Sequence, residues 1–201
     1  MIELTSAHTV YGQKVHIVLE ETGLPYTVRE DVARAAEGAN PLGRTPSMHD
    51  PHGPDGLPIT LGESAAIAFY LARKAHKLGP ESARETAEFD YWAFMIAASL
   101  SPHFAAASYL DKSAPERIAW AVETFEDNAR RTLRVFEERM ATRHFMAGER
   151  FTVLDALLYP HLAVSAAQLP GGLSKFPNLE RYRDRLAQRE GVRRGMAVLA
   201  A

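Results

Sequence analysis

A cluster of polar side chains follows the first predicted strand of the chain. The segment TSAHTVYGQK contains the imidazole of His8 and four hydroxyl groups, on Thr5, Ser6, Thr9 and Tyr11. Hydroxyl groups at a crossover from a strand to a helix can donate hydrogen bonds to a reacting group, or they can be the ordinary polar side chains of a loop. The residues alone leave both interpretations open.

A second polar pair, Glu63–Ser64, stands where the predicted strand PITL runs into a predicted helix. A serine at a helix start lies beside free backbone N–H groups at the positive end of the helix dipole, and this favours a carboxylate or phosphate ligand. The Glu63 carboxylate suits an ammonium group. The pair therefore suits the α-amino and α-carboxylate groups of an amino acid, unless Ser64 is a plain N-cap.

Pro46 stands at the head of the predicted strand RTPSMHD, where it cannot donate to a sheet ladder. One solution is a cis Thr45–Pro46 peptide, since proline is the residue that adopts the cis form at modest cost. The cis bond would turn the preceding N–H and C=O toward a groove, where a bound peptide could pair with them as an extra strand. The alternative is an ordinary turn proline.

The elements that must position these groups have a mixed α/β pattern. Apolar residues at 2 and 4 predict a short strand, and helical apolar spacing over 12–21 predicts a helix that ends at Gly23. The segment DVARAAEGA predicts a weak short helix or an irregular stretch. Three further strands and one further helix are predicted from LPYTVRE, RTPSMHD, PITL and ESAAIAFYLARKAH.

The remainder of the chain has a helical pattern after a predicted linker, LGPES. The helices are predicted over 84–110 with a bend or an interruption at Pro102, and over 114–140, 151–168 and 177–188, before a short Ala-rich end. The change near residue 80 predicts two domains, residues 1–77 and 84–201.

Another motif in the helical part concerns folding. Thr152 and Asp155 have the spacing of a capping box, with Phe151 before them as a weak hydrophobic staple against Ala156.

Composition excludes several classes of function. The chain has 201 residues, a net charge of -2 and no cysteine, so it offers no basic footprint for nucleic acid, no disulfide and no cysteine nucleophile. His49 and His52 share a loop without a carboxylate at metal spacing, so we expect an exposed turn and no metal site. No apolar stretch approaches about 18 residues and no signal peptide is visible. We therefore expect a cytoplasmic protein without a membrane partner.

Taken in order, these segments resemble the glutathione transferases. The resemblance covers nearly the whole chain, and it is closest to the bacterial branch related to the nu class and to the yeast nitrogen-regulator prion protein. The first loop of that branch commonly reads Thr-Pro-Asn-Gly-x-Lys. The segments that carry the resemblance are YGQKV, LEETGLPY, NPLGRTPSM, GESAAIAFYLARK, FTVLDALLYPHL and FPNLERYRDRLAQREGVRR.

The resemblance implies a fold and a ligand. The fold is an α/β thioredoxin-like N-terminal domain plus an all-α C-terminal domain, in a homodimer that binds glutathione and a small apolar electrophile. By position, the Thr45 backbone would pair with the cysteinyl part of glutathione and Pro46 would be cis. Glu63 and Ser64 would hold the γ-glutamyl end. Arg44 could reach the glycyl carboxylate or be an exposed surface residue.

The resemblance also ranks the hydroxyl groups. In the branch, the Thr and Asn of Thr-Pro-Asn donate hydrogen bonds to the glutathione thiolate, which favours the ionised sulfur. Thr9 retains the Thr, Val10 replaces the Pro and Tyr11 replaces the Asn. Thr9 is therefore the expected donor. Tyr11 is the alternative donor or part of the second-substrate pocket, Ser6 is a weaker candidate, and the absence of any side-chain activator stays open.

Two further expectations concern the rest of the ligand site. The other second-substrate pocket residues, unless they only pack against the next helix, would be Met95, Ser99, His103 and Phe104, while Tyr91 and Trp92 would make core or dimer contacts. The segment 26–40 is shorter than is usual in the family. The glycine end of glutathione would therefore be weakly bound, or bound by Gln13, Lys14 or Arg44.

The expected function is that of a glutathione transferase. It would stabilise the glutathione thiolate and conjugate it to an apolar electrophile, or use it to reduce a disulfide or a peroxide. The alternatives are a non-catalytic glutathione-transferase-like binding or regulatory protein, and a glutathione-dependent isomerase of a small unsaturated acid.

Overall fold

The computed structural model describes residues 1–30 and 40–200. They group into two compact units, Met1–Gly79 with Ala187–Ala201 and Pro80–Leu186. The boundary at residues 79 and 80 falls inside the predicted linker. The predicted helix or irregular stretch at 31–39 lies outside the described residues.

The first unit contains a four-stranded sheet with helices packed on it. The strands have the order β2-β1-β3-β4, with β1 parallel to β2 and antiparallel to β3, and β3 antiparallel to β4. The four predicted strands are thus confirmed. The bounds are β1 Ile2–Thr5, α1 Val10–Thr22, β2 Tyr26–Arg29, β3 Ser47–Asp50, β4 Ile59–Leu61 and α2 Ser64–Lys74.

The second unit is helical throughout its described regular structure. Helix α4 packs on α5, and α3 packs on α6. The last helix of the chain, α9, lies in the C-terminal part of the first unit. The bounds of the helices from residue 83 onward are α3 Ala83–Phe94, a π-helical segment Met95–Leu100, α4 Ser101–Lys112, α5 Ala119–Met140, α6 Val153–Ala163, α7 Ser165–Gln168, α8 Pro177–Ala187 and α9 Glu190–Ala197.

Helix α1 begins and ends as its sequence chemistry dictates. It begins at Val10, two residues before the predicted start, with Thr9 as the N-cap, and the predicted C-cap Gly23 adopts a left-handed φ of 75° while its N–H bonds to the Leu19 carbonyl. Only glycine adopts this conformation at no steric cost. Ile17 and Val18 are fully buried, so α1 is a central core helix of its unit.

Helix α9 belongs to the first unit, which differs from the predicted second domain at 84–201. A Cβ atom on Gly195 would lie 2.6 Å from the Ile17 backbone, so the two helices approach at a contact that only glycine permits. Arg189 adds a two-pronged ion pair to Glu21, with N···O distances of 3.0 and 2.7 Å. The Ala-rich end therefore completes the α/β unit.

Pro102 does not break the helical stretch from α3 to α4, so the interruption, one of the two predicted alternatives, is wrong. Instead the helix widens into the π-helical segment Met95–Leu100, where the Ser101 N–H bonds to the Ile96 carbonyl. Pro102 lies in the first turn of α4, where its missing N–H is tolerated. The change of register thus falls just before the residue that cannot continue the α-helical ladder.

The same continuous helix, Ala83–Lys112, is long and apolar enough to cross a membrane by length and composition alone, and a third of its apolar 18-residue window is buried. Core helices of soluble proteins have the same character, and α4 packs on α5 in this way.

The predicted capping box at the start of α6 is present. The Thr152 N–H donates to the Asp155 carboxylate at 2.7 Å, and both residues are fully buried. Phe151 packs edge-on against Phe145. A ring partner is better suited to its size than the small Ala156 that the staple pattern had suggested.

Candidate functional site

Three loops of the first unit meet at one edge of the sheet. Thr5, at the end of β1, pairs with Ser47, at the start of β3. Met48 pairs in turn with Leu61, at the end of β4. Because both pairings are antiparallel, the residues after β1, before β3 and after β4 lie at the same edge. These are the loops that contain Thr9, Thr45 and Glu63, so strand topology brings the predicted site residues together.

The Thr9 hydroxyl lies at the exposed N-terminus of α1. Its oxygen accepts the Gly12 N–H at 3.2 Å. A hydroxyl can accept such a bond and still donate its own hydrogen to a second group. The loop is tight here, since a Cβ on Gly12 would lie 2.3 Å from the Ala7 carbonyl oxygen. A glycine is therefore required for the close approach that fixes Thr9.

Tyr11 lies in the electrostatic field of the other site residues. Burial raises the pKa of its phenol, the Arg44 guanidinium opposes that rise, and the Glu63 carboxylate adds to it. The half-buried ring also faces Lys14, whose Nζ is 5.0 Å from the ring centroid. A raised pKa keeps the phenol protonated and able to donate a hydrogen bond.

The Thr45–Pro46 peptide is cis, so the ordinary trans turn is wrong. Pro46 is buried and Thr45 is half-buried directly before β3.

Glu63 has the most unusual backbone of the site. It is the N-cap residue of α2, with φ 64° and ψ 111°, and its side chain makes no capping hydrogen bond. A non-glycine residue in this region costs about 1–3 kcal/mol and persists where the surroundings hold it. The strained backbone leaves the exposed carboxylate available for another group.

Ser64 is the first helical residue of α2, so the plain N-cap interpretation is wrong. Its side chain is 8% exposed. The first hydrogen bond back into the helix comes from Ile67 to the Glu63 carbonyl, at 3.0 Å. The N–H groups of residues 64–66 have no acceptor within the helix, which is the arrangement that attracts an anion.

Two other polar residues of the first loop, Ser6 and His8, are less suited to donate a hydrogen bond to a ligand. Ser6 is fully buried, and its hydroxyl makes a long 3.5 Å contact with the Ala7 carbonyl, so burial argues against it as a donor. His8 is exposed and its Nε2 lies 3.2 Å from the Gln13 amide. Across residues 1–30 and 40–200, no group of three His, Asp or Glu could hold a metal ion.

The predicted second-substrate residues on the helical unit differ in their surroundings. Met95 and Ser99 lie in the π-helical segment and are half-buried. The half-buried ring of His103 lies 6.2 Å from Phe125. Phe104 is only 2% exposed and packs on His161, so it offers little surface to a ligand and serves as a core residue.

The structure shows a buried lysine, Lys14, next to the predicted site residue Tyr11. Lys14 is 2% exposed, and burial lowers the pKa of its ammonium group to about 7. It had been considered only as a contact for the glycine end of glutathione. The i, i+3 spacing of Tyr11 and Lys14 was the available signal, since residues three apart lie on the same helix face.

Comparisons with known proteins agree with this geometry. Residues 10–74 match the glutathione S-transferase N-terminal domain and residues 91–190 match its C-terminal domain. The chain is 27% identical to the disulfide-bond oxidoreductase YfcG of Escherichia coli (strain K12), over all of this chain and 96% of the relative.

Two solved structures show the fold in detail. A glutathione transferase from Burkholderia graminis, with two glutathione molecules bound per subunit, has a TM-score of 0.89 and 29% identity, covering 98% of this chain and 87% of that one. Ure2p in complex with glutathione has a TM-score of 0.87 and 26% identity, covering 97% and 93%. The predicted fold class is confirmed, and the chain belongs to the glutathione S-transferase family.

Proposed function

We propose that this protein binds glutathione at the shared sheet edge and uses the Thr9 hydroxyl to stabilise its thiolate. The main support for this proposal is that the loops containing Thr9, Thr45–Pro46 and Glu63–Ser64 lie at the same edge of the sheet. The γ-glutamyl group would bind to the Glu63 carboxylate and the first N–H groups of α2. The cysteinyl backbone would pair with Thr45, and Arg44 would reach the glycyl carboxylate.

Chemistry at this site needs an ionised sulfur. A hydrogen bond to the charged form favours ionisation, and Thr9 can supply it while still capping α1. The bound thiolate would attack an apolar electrophile, with Tyr11 as a proposed contact of that second substrate. Proximity and the stabilised thiolate then provide the catalysis.

Disulfide reduction is a second activity that the comparisons favour. The relative YfcG is named a disulfide-bond oxidoreductase, and the Burkholderia graminis structure contains two glutathione molecules per subunit. Because this chain has no cysteine, both electrons would come from glutathione. One glutathione thiolate would attack the disulfide and release a thiol. The second would resolve the mixed disulfide and form oxidised glutathione. The similarity to Ure2p also supports the proposed Ure2p-like branch.

The test compares Thr9→Val with Thr9→Ser and Tyr11→Phe. Valine removes the hydroxyl at similar volume, so we expect kcat/KM for an aryl halide to fall about tenfold, the lower range for a hydrogen bond to a charged group. Serine keeps both the cap and the donor and should stay close to wild type.

An unchanged Thr9→Val beside an inactive Tyr11→Phe would transfer the donor role to Tyr11. Tight glutathione binding without turnover of any electrophile or disulfide would favour the non-catalytic alternative. Turnover only of an unsaturated acid would favour the isomerase.

We also propose a cytoplasmic homodimer. Tyr91 and Phe94 lie three residues apart on α3 and are 55% and 69% exposed, while Trp92 is buried in the core against Phe136. Two large exposed rings on one helix face support a protein–protein contact there. Sedimentation equilibrium should give twice the chain mass. Tyr91→Glu with Phe94→Glu should shift it to the monomer, whereas a monomeric wild type would contradict the proposal.

A further inference from the structure

Lys14 is an unusual residue for the interior of a helix. It is 2% exposed on α1, and lysine is almost never fully buried unless it is paired. It lies three residues after Tyr11, on the same helix face, and its Nζ is 5.0 Å from the Tyr11 ring centroid. A cation at this distance from an aromatic ring is attracted by the ring quadrupole, and the attraction grows when the pair is desolvated.

We propose that Lys14 is a positioning residue that holds the Tyr11 ring through a cation–π contact and so couples protonation of a buried amine to the binding of glutathione. The inference rests on the proposed function, because it requires the glutathione site next to Tyr11, and it goes beyond that function by giving the Tyr11 ring a part in glutathione binding. It adds a proton switch that the hydroxyl chemistry of Thr9 does not contain. The ring has to be held for Tyr11 to face Arg44 and Glu63, whose charges act on its phenol.

The sign of the coupling follows from the charge of Lys14. Burial lowers the pKa of its ammonium group to about 7. Below that pH the cation is present and the ring is held; above it the amine is neutral and the cation–π attraction is lost. Glutathione affinity should therefore be highest on the acidic side of neutrality and fall as the pH rises through the pKa of Lys14.

Other titratable groups of the described first unit lie on α1 and on the helix α9 that packs against it. Burial lowers the pKa of His16 to about 4, so its imidazole stays neutral through the relevant range. On the packed helix α9, Arg189 and Arg194 are paired with Glu21 and Glu20. His8, on the loop before α1, lies 3.2 Å from the Gln13 amide and is the position chosen for a control variant. The charges of Arg44 and Glu63 act on the Tyr11 phenol.

The experiment measures the affinity of S-methylglutathione, which has no ionisable thiol, by calorimetry between about pH 6 and pH 8. Wild type should lose affinity by a factor of about three to thirty across this range, which is the range of a partly to fully desolvated cation–π contact. Lys14→Met should show the weaker affinity at every pH. Lys14→Arg should keep a cation throughout the range, so its affinity should not show the fall with rising pH, which we call the pH step. This variant tests the inference even if Lys14→Met does not fold.

Matched variants of Tyr11 and His8 separate positioning from general damage. Tyr11→Phe keeps the ring and should keep the step, whereas Tyr11→Leu should abolish it. His8→Gln should leave the step unchanged. Binding near pH 7.5, about half a unit above the pKa, should also take up protons in wild type and not in Lys14→Arg, as shown by the buffer dependence of the binding enthalpy.

A wild type that binds with the same affinity at both ends of the range overturns the inference and leaves the proposed function in place. The same holds if Lys14→Met keeps the step or His8→Gln loses it. A protein that binds S-methylglutathione at no pH overturns the proposed function and the inference with it.

Discussion

Glutathione affinity is expected to fall about thirty- to a hundredfold when Glu63 is replaced by Gln, which is the upper range for a hydrogen bond between charged groups. The proposed partner of this carboxylate is the α-amino group of the γ-glutamyl residue. Glutamine keeps the length and shape of the side chain, removes its charge and replaces one acceptor oxygen by an NH2 donor. The loss would include the cost of leaving the ligand's ammonium group without a counter-charge in the complex.

A ligand that lacks the amino group provides the matched control. Wild type should bind the deamino analogue, glutaryl-cysteinylglycine, about as weakly as Glu63→Gln binds glutathione. Glu63→Gln should bind glutathione and the deamino analogue with nearly equal affinity, because the variant has no carboxylate with which the amino group of glutathione could interact. Calorimetry measures all four affinities and gives the coupling energy directly. Additive losses would show that Glu63 and the amino group do not interact.

The backbone of Glu63 allows a second, opposite readout. Its φ of 64° is strained for glutamate and unstrained for glycine. Glu63→Gly should therefore stabilise the fold by about 1 kcal/mol in urea unfolding while it abolishes the charge-dependent part of binding. A gain in stability with a loss of affinity would identify the strain as a cost of the binding site. A variant that is less stable than wild type would instead indicate that the Glu63 side chain supports the fold.

The sequence predicted much of this site because the relevant signals are local. The Gly23 cap, the strands and the polar pair Glu63–Ser64 each follow from the chemistry of a few neighbouring residues, whereas the cap at Thr9 was not predicted. Pro46 is an intermediate case, since its position argued for a special backbone but left the cis and turn forms open until the family resemblance was considered.

Other features depend on tertiary packing and could not be predicted in this way. The left-handed backbone of Glu63 is imposed by the link between β4 and α2, and glutamate has no intrinsic preference for it. The burial of Lys14 depends on what covers that face of α1. The return of α9 to the first unit depends on the Gly195 contact with Ile17, which joins residues far apart in the sequence. Such contacts leave no periodic signal in a single chain.

Asp155→Ala is expected to produce the largest loss of stability, about 3–5 kcal/mol, because it leaves buried donors without their acceptor. Two donors reach one carboxylate oxygen, the Thr152 N–H at 2.7 Å and its hydroxyl at 2.9 Å. The Met146 N–H at 2.8 Å and the Tyr182 hydroxyl at 2.6 Å reach the other. All four groups belong to buried residues, so water cannot replace the carboxylate without opening the core.

Graded variants distinguish this network from simple cavity formation. Tyr182→Phe removes one of the four donors and should cost about 1 kcal/mol, since the carboxylate keeps three. Asp155→Asn keeps the volume of the side chain and replaces one acceptor oxygen by an NH2 donor. Because each carboxylate oxygen accepts from two donors, that NH2 group would face two donors. The loss of stability should therefore lie between those of Tyr182→Phe and Asp155→Ala. Urea unfolding of the three variants measures the order. If Asp155→Ala costs no more than Tyr182→Phe, the donors have found other partners, and the capping box does not anchor α6. If the predicted order holds, this single carboxylate joins the start of α6 to α8 and to the chain segment at Met146, because its two oxygens accept from all three places.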